Sequence, residues 1–220
     1  MKPKAVFIDF YGTLVHENGP IGREVVADIC RTAREGDPHK VLRFWWRQFS
    51  GYQRAANEGR FENQYAIALR AFTDTVLHFA SSADPAALCR RMVDHWSDPP
   101  AYEESRAFLQ ALDVPYYLVT NADASFLSAA VRRLGIRPAG LITSERARAY
   151  KPDPRVFELA LREAGVSPAQ AVHIGDSPDS DVRGAQALGI RALWLNRDKG
   201  RPGAPEEGFA CLADMLAALR

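Results

Sequence analysis

Cysteine is scarce: Cys30, Cys89 and Cys211 are the only three in 220 residues. They are odd in number, stand far apart and show no CxxC spacing. That argues against a zinc site and for free thiols in a reducing compartment. An excess of either charge is missing too. Lys and Arg total 28 against 27 Asp and Glu, a formal net charge of +1, and no basic stripe stands out. Nucleic acid is therefore not an expected partner. No apolar run approaches the roughly 20 residues a helix needs to span a bilayer, and the chain meets the charge of Asp9 before any signal-peptide apolar region could form. No membrane partner is expected, and a cytoplasmic protein is the simplest reading. Internal repeats and low-complexity linkers are absent as well. The remainder, 47% hydrophobic and 25% charged, suits one large globular domain or a domain with an insert.

Several short apolar runs end in small or acidic polar residues. Ala5-Val6-Phe7-Ile8 leads into Asp9-Phe10-Tyr11-Gly12-Thr13-Leu14, which puts Asp9 at the C-terminal end of a buried strand with a tight turn beyond it. In an open α/β sheet that edge is where ligands bind. A carboxylate there, with Thr13 close by, can be a nucleophile or a metal ligand; an Asp that merely ends a strand by bonding its own turn would look the same. Tyr116-Tyr117-Leu118-Val119 ends in Thr120-Asn121, and Val172-His173-Ile174 ends in Gly175-Asp176, followed by Asp179 and Asp181. Strands are expected near 4–9, 115–120, 139–143, 171–175 and 190–195, with helices near 124–134, 154–164 and 180–188 and a closing helix over about 209–219. Gly135, Gly165 and Gly189 follow helical stretches as C-terminal caps do. Alternating strands and helices predict a doubly wound parallel α/β sheet, Rossmann-like.

The interval 15–98 breaks that alternation. It holds helical spacing at Val41–Gln53, Gln64–Phe79 and Pro85–Trp96, no convincing strand, and Pro99-Pro100 at its end. A helical domain of residues 15–98, inserted into a core of 1–14 and 99–220, is the expectation.

These segments in this order, with Lys151-Pro152-Asp153-Pro154 before a helix, resemble the motifs of the haloacid dehalogenase-like hydrolase superfamily, in its capped subfamily I. The resemblance covers nearly the whole chain and implies that the insert is a cap that excludes water and sets specificity. It implies Asp9 as nucleophile, Thr120 as the Ser/Thr, Lys151 as the Lys, and Asp176 with Asp181 as the acidic pair. Clustered carboxylates repel, and one would take up a proton unless a cation sits among them; Mg2+ prefers such oxygen ligands. The implied ligands are Asp9, the Tyr11 backbone carbonyl and Asp176, with Asp181 direct or through water. Thr120, Asn121 and Lys151 would bind the phosphoryl group while Asp9 attacks in line.

Tyr11 departs from the phosphatases of this superfamily, which usually carry a second Asp there as acid and base; a phenol with a reference pKa of about 10 does that poorly near neutrality. Asp-x-Tyr-Gly-Thr is instead the first motif of the 2-haloacid dehalogenases, and Trp46-Arg47-Gln48 resembles that branch's Trp-Arg-Gln, which makes Arg47 a candidate for binding the acid. Against this, Phe157 stands where that branch has Tyr, and Gly175–Asp181 keeps the acidic pair that the branch, which works without metal, has lost. The expectation is a Mg2+-dependent phosphoric-ester hydrolase acting on a small molecule through a covalent aspartyl intermediate. A metal-free (S)-2-haloacid dehalogenase and a catalytically weak binding protein are the alternatives. Tyr11 and Thr13 count among the catalytic candidates, His16 could reach the site, and His173 reads as a core side chain. A homodimer is compatible with the sequence.

Overall fold

Five short parallel strands build the sheet: β1 (Ala5–Ile8), β2 (Tyr116–Thr120), β3 (Gly140–Thr143), β4 (Ala171–Gly175) and β5 (Arg191–Trp194), in the order β3-β2-β1-β4-β5. The computed structural model describes residues 2–17, 19–199 and 207–219. Residues 1, 18, 200–206 and 220, which the expected core and insert include, lie outside them. Strand alternation sorts side chains to two faces. Val6 and Ile8 join Leu118, Val172 and Ile174 on one face, while Ala5 and Phe7 join Val119 and Ile142 on the other. Both faces are covered, which is why the strands read as unbroken apolar runs.

Four helices follow β1: α1 (Gly19–Thr32), α2 (Pro38–Glu58), α3 (Gln64–His78) and α4 (Pro85–Ser97). Two of them start at Asp-Pro pairs, with Asp37 and Asp84 accepting from first-turn N–H groups and the proline at the first helical position. None of the described residues of 15–98 pairs into the five-stranded sheet. The chain leaves and returns side by side: His16 N donates to Pro100 O at 2.9 Å and Tyr102 N to Leu14 O at 3.1 Å. After α5 (Ser105–Gln110), helix α6 (Ala124–Leu134) follows β2 and packs against α4, and α8 (Pro154–Ala164) packs under β2 and β3, with α7 (Ser144–Ala147) between them in sequence. The apolar cluster runs unbroken from the sheet through Tyr11, Trp96 and Phe126 into the four helices.

Two expected helices differ. Near 180–188 the chain makes a wide π-helical turn, Pro178–Arg183, capped by Ser177, before the short α9 (Gly184–Gln186). Near the C-terminus the described residues form only α10 (Leu212–Met215) and a 3-10 turn at Ala217–Leu219. Phe209 is held extended beside β5, its N–H on Trp194 O at 2.9 Å and its carbonyl on Asn196 N at 2.8 Å, which delays the helix. Helix α1 is unannounced in the sequence because Gly19, Pro20 and Gly22 dilute its start. No described helix is long and apolar enough to cross a membrane.

Candidate active site

The sheet order reverses at β1, and the C-terminal ends of β1, β2 and β4 meet there. Asp9 extends β1, its N–H on Ile174 O at 2.8 Å. The chain then turns sharply: Gly12, at φ +83, donates to Val15 O at 2.8 Å. That glycine has a second reason. A Cβ there would collide with the Asp176 carboxylate, and one on Gly175 would collide with that of Asp181. The two glycines let the acidic side chains settle onto backbone.

Asp9, Asp176 and Asp181 offer oxygens within 4.8 Å of one another. Lys151 sits among them, 5% exposed. Its Nζ donates to Asp9 Oδ1 at 2.7 Å, Asp181 Oδ1 at 2.5 Å and Val119 O at 2.8 Å, so its three protons are spent on fixing the site. Asp181 is also saturated: His173 Nε2 lies 2.9 Å from Oδ1 and Ser177 N donates to Oδ2 at 3.0 Å. Among the described residues the Asp176 carboxylate has only the Thr13 hydroxyl, at 3.4 Å, which stands equally far from Asp9 Oδ2.

The proton affinities follow from this sharing. Burial raises Asp9, and Lys151 only partly offsets it. Burial would raise Asp181 as well, but Lys151 and His173 hold it far below the usual range. Burial alone would lower Lys151; Asp181 and Asp9 reverse that and drive it upward. Asp176 is pushed up to about 8, first by burial and then by Asp9 and Asp181. It is the acid without a cation.

The cavity over this cluster measures about 660 Å³. Its floor is the sheet edge with Thr120, whose hydroxyl bonds no described residue. Its far wall is α2, which presents Trp46, Ser50, Gln53, Arg54 and Asn57, one helical face. Gln64, at the start of α3, lines the same space, and its buried carbonyl oxygen has no described partner.

The sequence candidates fall into three groups. Asp9, Thr13, Thr120, Lys151, Asp176 and Asp181 come together. Asn121 lines the cavity, but its amide is used on the Lys151 backbone, accepting from N at 2.7 Å and donating to O at 3.2 Å. Arg47 does not face the cavity. One residue past Trp46 is about 100° around a helix, and its guanidinium lies over the Phe44 ring, 5.2 Å from the centroid; Arg54 occupies the facing stripe instead. His16 packs at a tilt against Tyr102, ring centroids 3.9 Å apart, and does not line the cavity. His173 is buried, as read, yet it also clamps Asp181. Arg54, Glu17 and Gln64 were missed; the 46-50-53-54-57 spacing was a signal for the first.

Tyr11 is buried and its hydroxyl donates to Trp96 O at 2.7 Å. Burial first, then Asp9, pushes the phenol far above its ordinary value, so it neither gives nor takes a proton near neutrality. Tyr11→Phe is expected to cost roughly 1–2 kcal/mol by leaving a buried carbonyl unpaired, with turnover within about threefold of wild type. Urea melts and steady-state rates check this; a loss of more than about tenfold at unchanged stability would return the hydroxyl to the chemistry.

The family model for the haloacid dehalogenase-like hydrolases matches residues 3–189. The chain belongs to that family. It is 27% identical over 229 aligned residues to (S)-2-haloacid dehalogenase 4A of Burkholderia cepacia, covering 98% of this chain and 91% of that protein. It is 52% identical to the phosphoserine phosphatase of Thermus thermophilus, but over only 56 residues, 26% of this chain and 22% of that protein. Its fold matches the L-2-haloacid dehalogenase of Xanthobacter autotrophicus with a TM-score of 0.79 at 20% identity, covering 99% and 98% of the two chains. This HAD-like chain is thus a hydrolase by family, with both phosphatases and dehalogenases among its relatives.

Proposed function

We propose that the chain is a Mg2+-dependent phosphoric-ester hydrolase acting on a small metabolite, with residues 15–98 as its cap. The observation that carries this is Asp176: a carboxylate packed against Asp9, raised to about 8, with Lys151 already spent elsewhere. Six carboxylates line the cavity, those of Asp9, Glu17, Glu58, Asp176, Asp179 and Asp181, against the cations Lys151 and Arg54. An oxygen-only donor set with surplus negative charge fits a hard cation. Asp9, the Tyr11 carbonyl and Asp176 would hold it; Asp181, fully engaged with its neighbours, would act through water. Bound there, Mg2+ supplies neutralisation of Asp9 and Asp176 and of the phosphoryl oxygens.

Asp9 attacks phosphorus in line, forming an aspartyl phosphate and freeing the alcohol. Water then attacks that phosphorus, releasing phosphate and restoring Asp9. Lys151 keeps the Asp9 carboxylate from rotating, and the free Thr120 hydroxyl receives a phosphoryl oxygen. The local identity to a phosphoserine phosphatase supports this reading. A cytoplasmic setting agrees with three unpaired cysteines.

A second reading, (S)-2-haloacid dehalogenase, is favoured by the near full-length relative and by Tyr11. It loses support from Arg47 lying off the cavity and from the retained acidic pair.

The test measures phosphate release from a panel of monoesters and chloride release from 2-chloropropionate, each with Mg2+ and with chelator. Phosphate only with Mg2+ is expected. Metal-independent chloride would establish the dehalogenase, and neither product would leave a binding protein. A thermal measurement accompanies it. Because the folded-state pKa of Asp176 is raised, its stabilisation is present below its ordinary value near 4 and lost as pH climbs to about 8. Mg2+ relieves that loss, so saturating Mg2+ should raise Tm by roughly 5 °C or more at about pH 8.5 and by much less at about pH 5.5. Asp176→Ala should abolish the difference.

A further inference from the structure

Hydrolysis of an alkyl phosphate needs a proton delivered to the departing oxygen, and Tyr11 cannot deliver it. Of the carboxylates lining the cavity, Asp9 and Asp181 are held by Lys151, and Asp176 belongs with the proposed metal. Asp179 is exposed and pairs with Arg183, and Glu58 is exposed at the end of α2. Glu17 remains. Its carboxylate bonds no described residue and faces the cavity. Its backbone is pinned: the preceding residue bonds Pro100 O, and His95 Nε2 on α4 lies 3.1 Å from the Glu17 carbonyl.

We propose that Glu17 is the acid and base of the reaction, set on the segment entering the helical insert rather than two residues after Asp9. This rests on the phosphoric-ester reading. An in-line attack by Asp9 drives the leaving oxygen away from the sheet edge, toward the wall formed by α2 and this segment. In the first step the Glu17 carboxyl gives its proton to that oxygen as the ester bond breaks, so the product leaves as a neutral alcohol. In the second the Glu17 carboxylate takes a proton from the water that attacks the phosphoaspartate, and is ready again. Burial, with Asp9 adding to it, pushes Glu17 up to about 7, which suits both directions of transfer near neutrality.

The experiment compares kcat/KM, which reports the first transfer, for wild type, E17Q and E17D on 4-nitrophenyl phosphate and on a primary alkyl phosphate, all with saturating Mg2+. The nitrophenolate leaves without a proton; the alkoxide does not. E17Q should lose about 100-fold or more on the alkyl ester and less than about fivefold on the aryl ester, and E17D should recover part of the alkyl rate. If E17Q does not fold, E17S gives the same comparison. Equal losses on both esters, or none on the alkyl ester, would overturn the assignment while leaving the phosphatase reading intact. A wild type that frees phosphate from neither ester would overturn that reading and this inference with it.

Discussion

Asp9→Asn is expected to reduce turnover by at least about four orders of magnitude on every substrate class while the protein still folds. Asp9 is the one carboxylate that combines a place at the end of the central strand with an oxygen still open to the cavity. Its Oδ1 is fixed by Lys151 at 2.7 Å, and among the described residues Oδ2 has only a long contact to Thr13 at 3.4 Å. Asn keeps the shape and removes the nucleophile. The fold survives because Lys151 retains Asp181 and Val119. One charge fewer also relaxes Asp176, whose upward shift is due first to burial and next to Asp9, so the metal-free variant should be no less stable than wild type at about pH 8. Rapid quench of wild-type turnover followed by peptide mass mapping should find the adduct on the peptide carrying Asp9. Activity within about tenfold of wild type, once deamidation is excluded, would remove Asp9 from the role under the phosphatase and dehalogenase readings alike.

The strand ends were legible because each is an apolar run stopped by a small or acidic residue, and the fold forces such ends together. Asp9, Thr120 and Asp176 could be named from sequence for that reason, and Lys151 from the motif before α8. What was not legible depends on angle rather than order. Arg47 and Arg54 look equally available along the chain; only the phase of α2 decides that Arg54 meets the cavity and Arg47 lies on Phe44. His173 gave the apolar-strand signal it should, yet the clamp on Asp181 depends on the wide turn after Pro178, which no local propensity announces. Tyr11 looked like a missing catalyst. Its partner, the Trp96 carbonyl, lies 85 residues away, and only the packing of α4 against the core reveals it.

Lys151→Met is expected to be the most damaging substitution for stability, costing about 3–5 kcal/mol out of the ~5–15 kcal/mol typical of a domain. The methionine fills the space but abandons two buried carboxylates and the Val119 carbonyl. The pH dependence distinguishes this from a packing defect. In wild type Asp181 is depressed, so its stabilisation is present above its ordinary value and is lost only as pH falls through the lowered one. Without Lys151 only His173 and the Ser177 N–H still oppose burial, the largest influence on Asp181, so Asp181 shifts upward toward the raised Asp9 and Asp176. Raised acids stabilise while protonated and lose that stabilisation as pH rises. The gap between variant and wild type should therefore widen from about pH 5 to about pH 8, and Mg2+ should narrow it at the higher pH by taking over part of the lost positive charge. Turnover should fall at least about 100-fold even where the variant is folded, since Asp9 is no longer held in orientation. Urea melts at both pH values, with and without Mg2+, decide the matter. A cost that is independent of pH would mean that Lys151 matters for its volume alone, and the charge network built around it would not describe this site.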